Sequence, residues 1–166
     1  MATIKLPHFG ILDSTALEEY YDLSITFNGT EIQIDLNFDT EVIDIKRLET
    51  VSHFIENIRI HDLNNRKHLQ EDFENNNGET VRAYLENHLA ELGIDDLEEL
   101  IGSNTKTADQ PKLLLKKLNL VRVGLYPDSE TQFATFDYSI GKTLTDYLVV
   151  IVTDENGNLD YITMES

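Results

Sequence analysis

Two kinds of apolar spacing divide the chain into three stretches. Between about residues 19 and 38, apolar and polar positions alternate as Tyr21, Leu23, Ile25 and Phe27, then Ile32, Ile34, Leu36 and Phe38, with Asn28-Gly29 between them. A period of two marks half-buried strands, and Asn-Gly is the favoured two-residue type I′ turn, which pairs Phe27 with Thr30. Ile25 then faces Ile32, Leu23 faces Ile34 and Tyr21 faces Leu36. The same register sets Asp22 opposite Asp35 and Thr26 opposite Glu31 on the other face. Like charges directly across a strand pair are destabilising, so that face is expected to be fully solvated, or to meet a cation or a basic partner.

From Asp44 to Leu118 the period becomes helical. Ile45, Leu48, Val51, Ile55 and Ile58 form a stripe over about 44–58, with Phe54 beside it. A weaker helix is predicted over about 62–74, with Asp62 as its N-cap and Leu69 and Phe73 as its apolar contacts. Asn75-Asn76-Asn77-Gly78 breaks the chain. The strongest stripe follows, with Val81, Tyr84, Leu85, His88, Leu89 and Leu92, and Gly93 reads as its C′ glycine. Asp95 with Glu98 resembles a capping box for a short helix. Ser103 to Gln110 is a polar, breaker-rich loop, and Pro111 opens a last helix through Leu118.

Strand patterning then returns. Val121, Val123 and Leu125 alternate with Leu120, Arg122, Gly124 and Tyr126, and Pro127-Asp128-Ser129-Glu130 turns the chain into Thr131–Tyr138. That register predicts Phe133 across from Gly124. Tyr147 to Val152 are six consecutive apolar residues, β-branched and aromatic, which reads as a strand buried on both faces. Glu155-Asn156-Gly157-Asn158 is a second Asn-Gly turn before a strand over 159–164. The order hairpin, helices, meander defines an α+β fold: an antiparallel sheet built from an N-terminal hairpin and a C-terminal four-strand meander, with the helical middle segment (44–118) packed on one face. At 166 residues a single domain over 1–166 is expected.

Composition alters this picture mainly through charge. There are 31 acids against 13 bases, a net charge of −18. Residues 1–45 hold nine acids and one base and residues 123–166 eight acids and one base, so the strand-rich ends carry −15 of that total. Such a chain repels nucleic-acid phosphate. No apolar run is long enough to cross a membrane, and the N-terminus lacks the basic and hydrophobic regions of a signal peptide. With no cysteine, thiolate chemistry and disulfides are excluded, and a cytoplasmic location is expected.

Candidate chemistry is sparse. His61 and His68 lie seven residues apart with Asp72 one turn further, so a helix beginning before His61 would let the three approach one metal ion; an N-cap at Asp62 would leave His61 outside it. His88, on the apolar stripe, reads as a hydrogen-bonded core histidine. Asp154 to Asp160 resembles a calcium loop only superficially, since its glycine is fourth rather than sixth. Asp35, Asp39, Glu41 and Asp44 read as loop solvation and a helix cap. Ser139-Ile140-Gly141-Lys142-Thr143 ends like a phosphate loop, but Phe136 stands where its first glycine is needed. Lys106, Lys112, Lys116, Lys117 and Arg122 concentrate positive charge enough to cradle an anion. Six of the tyrosines (Tyr20, Tyr21, Tyr126, Tyr138, Tyr147 and Tyr161) fall in the strand stretches, where sheet packing favours them and where an interface would also use them.

Leu6-Pro7-His8-Phe9-Gly10, the hairpin through Ile34-Asp35-Leu36-Asn37-Phe38, Leu120-Val121-Arg122-Val123-Gly124-Leu125-Tyr126-Pro127, Phe136-Asp137-Tyr138-Ser139-Ile140-Gly141 and Leu159–Ser166 together resemble an uncharacterised bacterial family, domain of unknown function 2004. The resemblance covers nearly the full length, implies a free-standing protein and transfers no catalytic residue. The function expected from the residues is that of a non-enzymatic, acidic, immunity-protein-like interaction module without a cofactor. It would bind a basic partner through Tyr20, Asp22, Glu31 and Asp35 and have no nucleic-acid or membrane partner. The alternative is a small enzyme dependent on a metal at His61, His68 and Asp72, or on an anion at the basic cluster.

Overall fold

A computed structural model describes residues 2–75 and 79–166, so the break at Asn75-Asn76-Asn77-Gly78 falls, apart from Asn75, outside the described residues. The strands are β1 (Thr3–Leu6), β2 (Gly10–Asp13), β3 (Tyr20–Phe27), β4 (Thr30–Asn37), β5 (Asn119–Leu125), β6 (Ala134–Ser139), β7 (Leu148–Thr153) and β8 (Leu159–Glu165). The helices are α1 (Ile45–Glu56), α2 (Ile58–Glu74), α3 (Thr80–Glu91), α4 (Ile94–Ile101) and α5 (Gln110–Leu115). The fold is α+β, as predicted. Strands β3 to β8 form one six-stranded sheet in chain order, and β1 with β2 forms a separate two-stranded hairpin. The sequence allows residues 6–10 no more than an edge strand or entry loop. Pro7 instead sits in a tight turn, with His8 at φ 68° and Gly10 at φ 80°, that folds β1 onto β2.

The hairpin register is the predicted one: Asp22 pairs with Asp35, Thr26 with Glu31 and Phe27 with Thr30. Asn28 and Gly29 both take positive φ, as a type I′ turn demands. The sheet departs from uniform antiparallel pairing at one place. β4 and β5 run parallel, with Asp35 beside Gly124. Their connection passes through all five helices, and a long crossover of that kind returns the chain in the same direction.

One face of the sheet carries Ile32, Ile34, Leu36, Val123, Leu125, Phe136, Tyr138, Val149 and Ile151 into an apolar core shared with α1, α2, α3 and α5. The uniform apolar run is β7, which begins at Leu148 because Tyr147 lies outside the strand and is exposed. Val149 and Ile151 face that core. Val150 and Val152 project to the opposite side, yet they too are buried.

Local details differ from expectation where tertiary contacts outweigh local preference. Asp44 does cap α1, accepting from the Lys46 N–H at 3.0 Å. Asp62 is not a cap. α2 starts at Ile58, with Asn57 closing α1 and opening α2, and Asp62 lies buried mid-helix accepting the Tyr138 hydroxyl at 2.7 Å. Gly93 has φ −66° and serves as the N-cap of α4, so α3 ends at Glu91 with Leu92 as its C-cap, and Asp95 falls inside the first turn of α4. Phe133 does not cross from Gly124; Thr135 does. A bulge at Val121 shifts the register of β5, placing Leu120 with Val123 and Leu125 on the core side. Between β7 and β8 only Gly157 has positive φ, so the turn is not type I′. The Asp154 carboxylate organises it, accepting the N–H groups of Asn156 at 2.9 Å and Asn158 at 2.8 Å. Burial raises the pKa of Asp154, but these bonds outweigh it and leave the group below its usual value.

Candidate functional site: the uncovered sheet face

Because side chains alternate along a strand, the positions between the core residues define the second face of the six-stranded sheet. The helices pack on the core side; on the second face Asp22, Ser24, Thr26, Glu31, Tyr161 and Glu165, towards the two edges, are exposed, while Asp35, Asp137, Val150 and Val152 between them are buried. At its centre stands Arg122, which the bulge at Val121 aligns opposite Asp137 of β6 and beside Gln33 of β4. Its guanidinium donates to both oxygens of Asp35, Nε to Oδ2 at 2.7 Å and Nη2 to Oδ1 at 2.9 Å. It also reaches Asp137 Oδ2 and the Tyr126 hydroxyl oxygen, each at 3.3 Å. Bidentate pairing of this kind is the strong form of ion pair.

Gly124 makes the arrangement possible. A side chain there would have its Cβ 2.9 Å from Arg122 Cζ and 3.1 Å from Asp35 Oδ1. The space that the sequence assigns to the ring of Phe133 therefore belongs to a guanidinium. Asn37 completes the cluster, donating from Nδ2 to Asp35 Oδ1 at 2.7 Å and to the Leu125 carbonyl at 3.3 Å.

Electrostatics follow from this packing. Burial alone would lower the pKa of Arg122, but the bonds it donates to Asp35 and Tyr126 and the fields of Asp35 and Asp137 raise it above its ordinary value. Asp137 is held above the usual carboxylate range by burial, which Arg122 only partly offsets. The Tyr20 hydroxyl, which accepts from Gln33 Nε2 at 3.1 Å, is raised by desolvation and then by Asp35 and Asp22. Asp22, Glu31, Asp35, Asp137 and Glu165 all belong to this face, and Arg122 is the cation among them.

Of the residues predicted to meet a partner, Tyr20, Asp22 and Glu31 share this face and are exposed. Asp35 shares it but is fully buried; of the alternatives expected there, solvation or a nearby cation or basic partner, the chain supplies a cation of its own, Arg122. Arg122 is correspondingly no part of a basic cluster; Lys106, Lys112, Lys116 and Lys117 remain as exposed lysines. Sequence reasoning missed Asp137 and Tyr126 as partners of Arg122. The alternation Arg122, Gly124, Tyr126 was the available signal.

α2 does begin before His61, yet the metal candidates are not brought together. His61 stacks on Phe54 with ring centroids 3.9 Å apart and sits under Gly157. Asp72 accepts the Val81 N–H at 2.9 Å, and His68 faces Glu71. Among the described residues no three His, Asp or Glu side chains are grouped to hold a metal ion. His88 is the core histidine expected: Nδ1 lies 2.6 Å from the Tyr84 carbonyl and Nε2 2.8 Å from Thr145 Oγ1. Among the described residues no helix is long and apolar enough to cross a membrane.

Compared with models of known families, with curated proteins and with solved structures, the chain matches none. The likeness to domain of unknown function 2004 therefore rests on the sequence stretches quoted for it.

Proposed function

We propose that the chain is a non-enzymatic, cytoplasmic protein-interaction module, immunity-protein-like in its logic, whose uncovered sheet face binds a basic partner. The observation that carries this is the fate of the face's cation. Arg122 is consumed by Asp35 and Asp137, so Asp22, Glu31 and Glu165 leave negative charge exposed on the face that also carries the exposed rings of Tyr20 and Tyr161. Tyrosine supplies interface area, and the surrounding charge steers a cationic surface into contact. Membership of domain of unknown function 2004 forms part of the same proposal.

The test is a partner recovered by affinity capture from the native host and then purified. Its association rate is expected to fall with added salt. Reversing Asp22 and Glu31 to lysine slows association by about tenfold, whereas reversing Glu98 and Glu99 on α4 leaves it within about twofold. Binding that is indifferent to salt, or equally sensitive to the α4 reversals, overturns the proposal.

A further inference from the structure

At one end of the uncovered face the sheet sinks into a depression of about 240 Å³, walled in part by Asn37, Asp39, Tyr126, Asp128, Gln132 and Tyr161. It is smaller than the roughly 300–1,000 Å³ of sites that enclose drug-sized molecules, and its scale suits one side chain. Its rim is fixed. Asp128 Oδ2 accepts the Asp39 N–H at 2.8 Å, tying the turn after β4 to the turn after β5. From the core side, Arg47 of α1 donates to the carbonyls of Pro127 at 3.0 Å and Ser129 at 3.2 Å while paired with Glu155.

The lining is acidic, with the carboxylates of Asp39 and Asp128 among hydroxyl and amide groups. Asn37 spends both N–H groups of its amide on Asp35 and Leu125 and so offers the depression only its carbonyl oxygen, while Gln132 donates one of its two to Asp160 Oδ2 at 3.3 Å. Among the described residues no ion pair or hydrogen bond engages the Asp39 carboxylate, and no lysine or arginine lines the depression. The same face shows what such a set of groups holds. One step along the sheet, two carboxylates and the Tyr126 hydroxyl enclose the guanidinium of Arg122. The depression repeats those parts, with Asp39 and Asp128 as carboxylates and Tyr126 shared as a wall, but without a cation.

We propose that this depression is a socket for an arginine side chain of the basic partner, a proposal that rests on the reading of the face given above. A planar guanidinium places its donors on both carboxylates while its face lies against a tyrosine ring. A lysine ammonium satisfies the charge without the fork or the stacking.

The test uses the full chain labelled with ¹⁵N and titrated at low salt with N-acetyl-arginine amide and, separately, N-acetyl-lysine amide. The arginine probe is expected to give saturable shifts at Asp39, Tyr126, Asp128 and Tyr161, and the lysine probe to bind at least about fivefold more weakly. Asp39→Asn combined with Asp128→Asn should abolish saturation; asparagine at 128 keeps an oxygen for the Asp39 N–H, and an unchanged spectrum elsewhere verifies the fold. Tyr161→Leu, on the sheet edge, should weaken the arginine probe selectively. Asp22→Asn should leave the response intact.

Equal affinity for the two probes, shifts that rise linearly across the acidic surface, or equal sensitivity to Asp22→Asn overturns the socket. If that happens while partner binding still depends on Asp22 and Glu31, the reading of the face survives; if that dependence is also lost, both fall.

Discussion

Replacing Arg122 with methionine probes the centre of the sheet directly. The substitution keeps an aliphatic stem over Gly124 but removes the guanidinium, leaving Asp35, fully buried, without its ionic partner. Removing one member of a buried pair typically costs 3–5 kcal/mol, because the remaining charge stays desolvated. The Arg122 side chain is 28% exposed, so water reaches the vacated site and the low end applies, about 3 kcal/mol. For a chain of this size that corresponds to a melting temperature lower by about 6–12 °C. Equilibrium urea unfolding at neutral pH measures it. The companion variant Asp35→Leu with Arg122→Met removes both charges and should recover most of the loss, since an apolar pair can replace a buried ion pair at little cost. The coupling between the two positions should therefore reach at least about 2 kcal/mol. A loss below about 1 kcal/mol for Arg122→Met, or additive effects in the double variant, would refute the claim that Asp35 depends on Arg122.

Two further outcomes are expected. Tyr138→Phe removes the donor at 2.7 Å from buried Asp62 and should destabilise by about 1–3 kcal/mol in urea unfolding; a loss under about 0.5 kcal/mol would mean that Arg66 alone satisfies Asp62. His61 has a pKa lowered from 6.5, chiefly by burial and further by His53 against an opposing contribution from Asp154. The unfolded chain therefore takes up the proton first as pH falls. His61 contributes no pH dependence well above 6.5, and stability declines from there down through the lowered folded value. In His61→Phe, which keeps the stack on Phe54, that portion of the decline should vanish; urea midpoints matching the parent at every pH would contradict it.

The hairpin could be read from sequence because both of its determinants are local: alternation supplies the faces, and Asn28-Gly29 fixes the register. The same face showed Tyr20, Asp22 and Glu31 as its polar residues. For Asp35 a nearby cation was one of the alternatives, but its identity was not legible, because Arg122 arrives from 87 residues away along a parallel neighbour and no local pattern encodes that pairing. Arg122 follows Lys116 and Lys117 in sequence and reads as one of their cluster, whereas the bulge at Val121 turns it to the opposite side of the sheet. Asp62 has the composition of a cap, but the buried Tyr138 hydroxyl claims it. Asp39 and Asp128 lie in separate turns, and only the folded sheet makes them neighbours.

The parallel seam between β4 and β5 also governs the order in which the chain organises itself. The β3–β4 hairpin and the β5–β8 meander close short loops, while the seam must bring together strands separated by the whole helical segment, so its entropy of closure is the larger. Asp35 and Arg122 lock that seam. They are therefore expected to meet after the local units have formed, outside the folding nucleus. An interaction formed that late restrains escape from the native state more than it hastens arrival. The ion pair at the centre of the sheet is thus a kinetic latch: without it the protein should refold at nearly its normal rate and come apart much sooner.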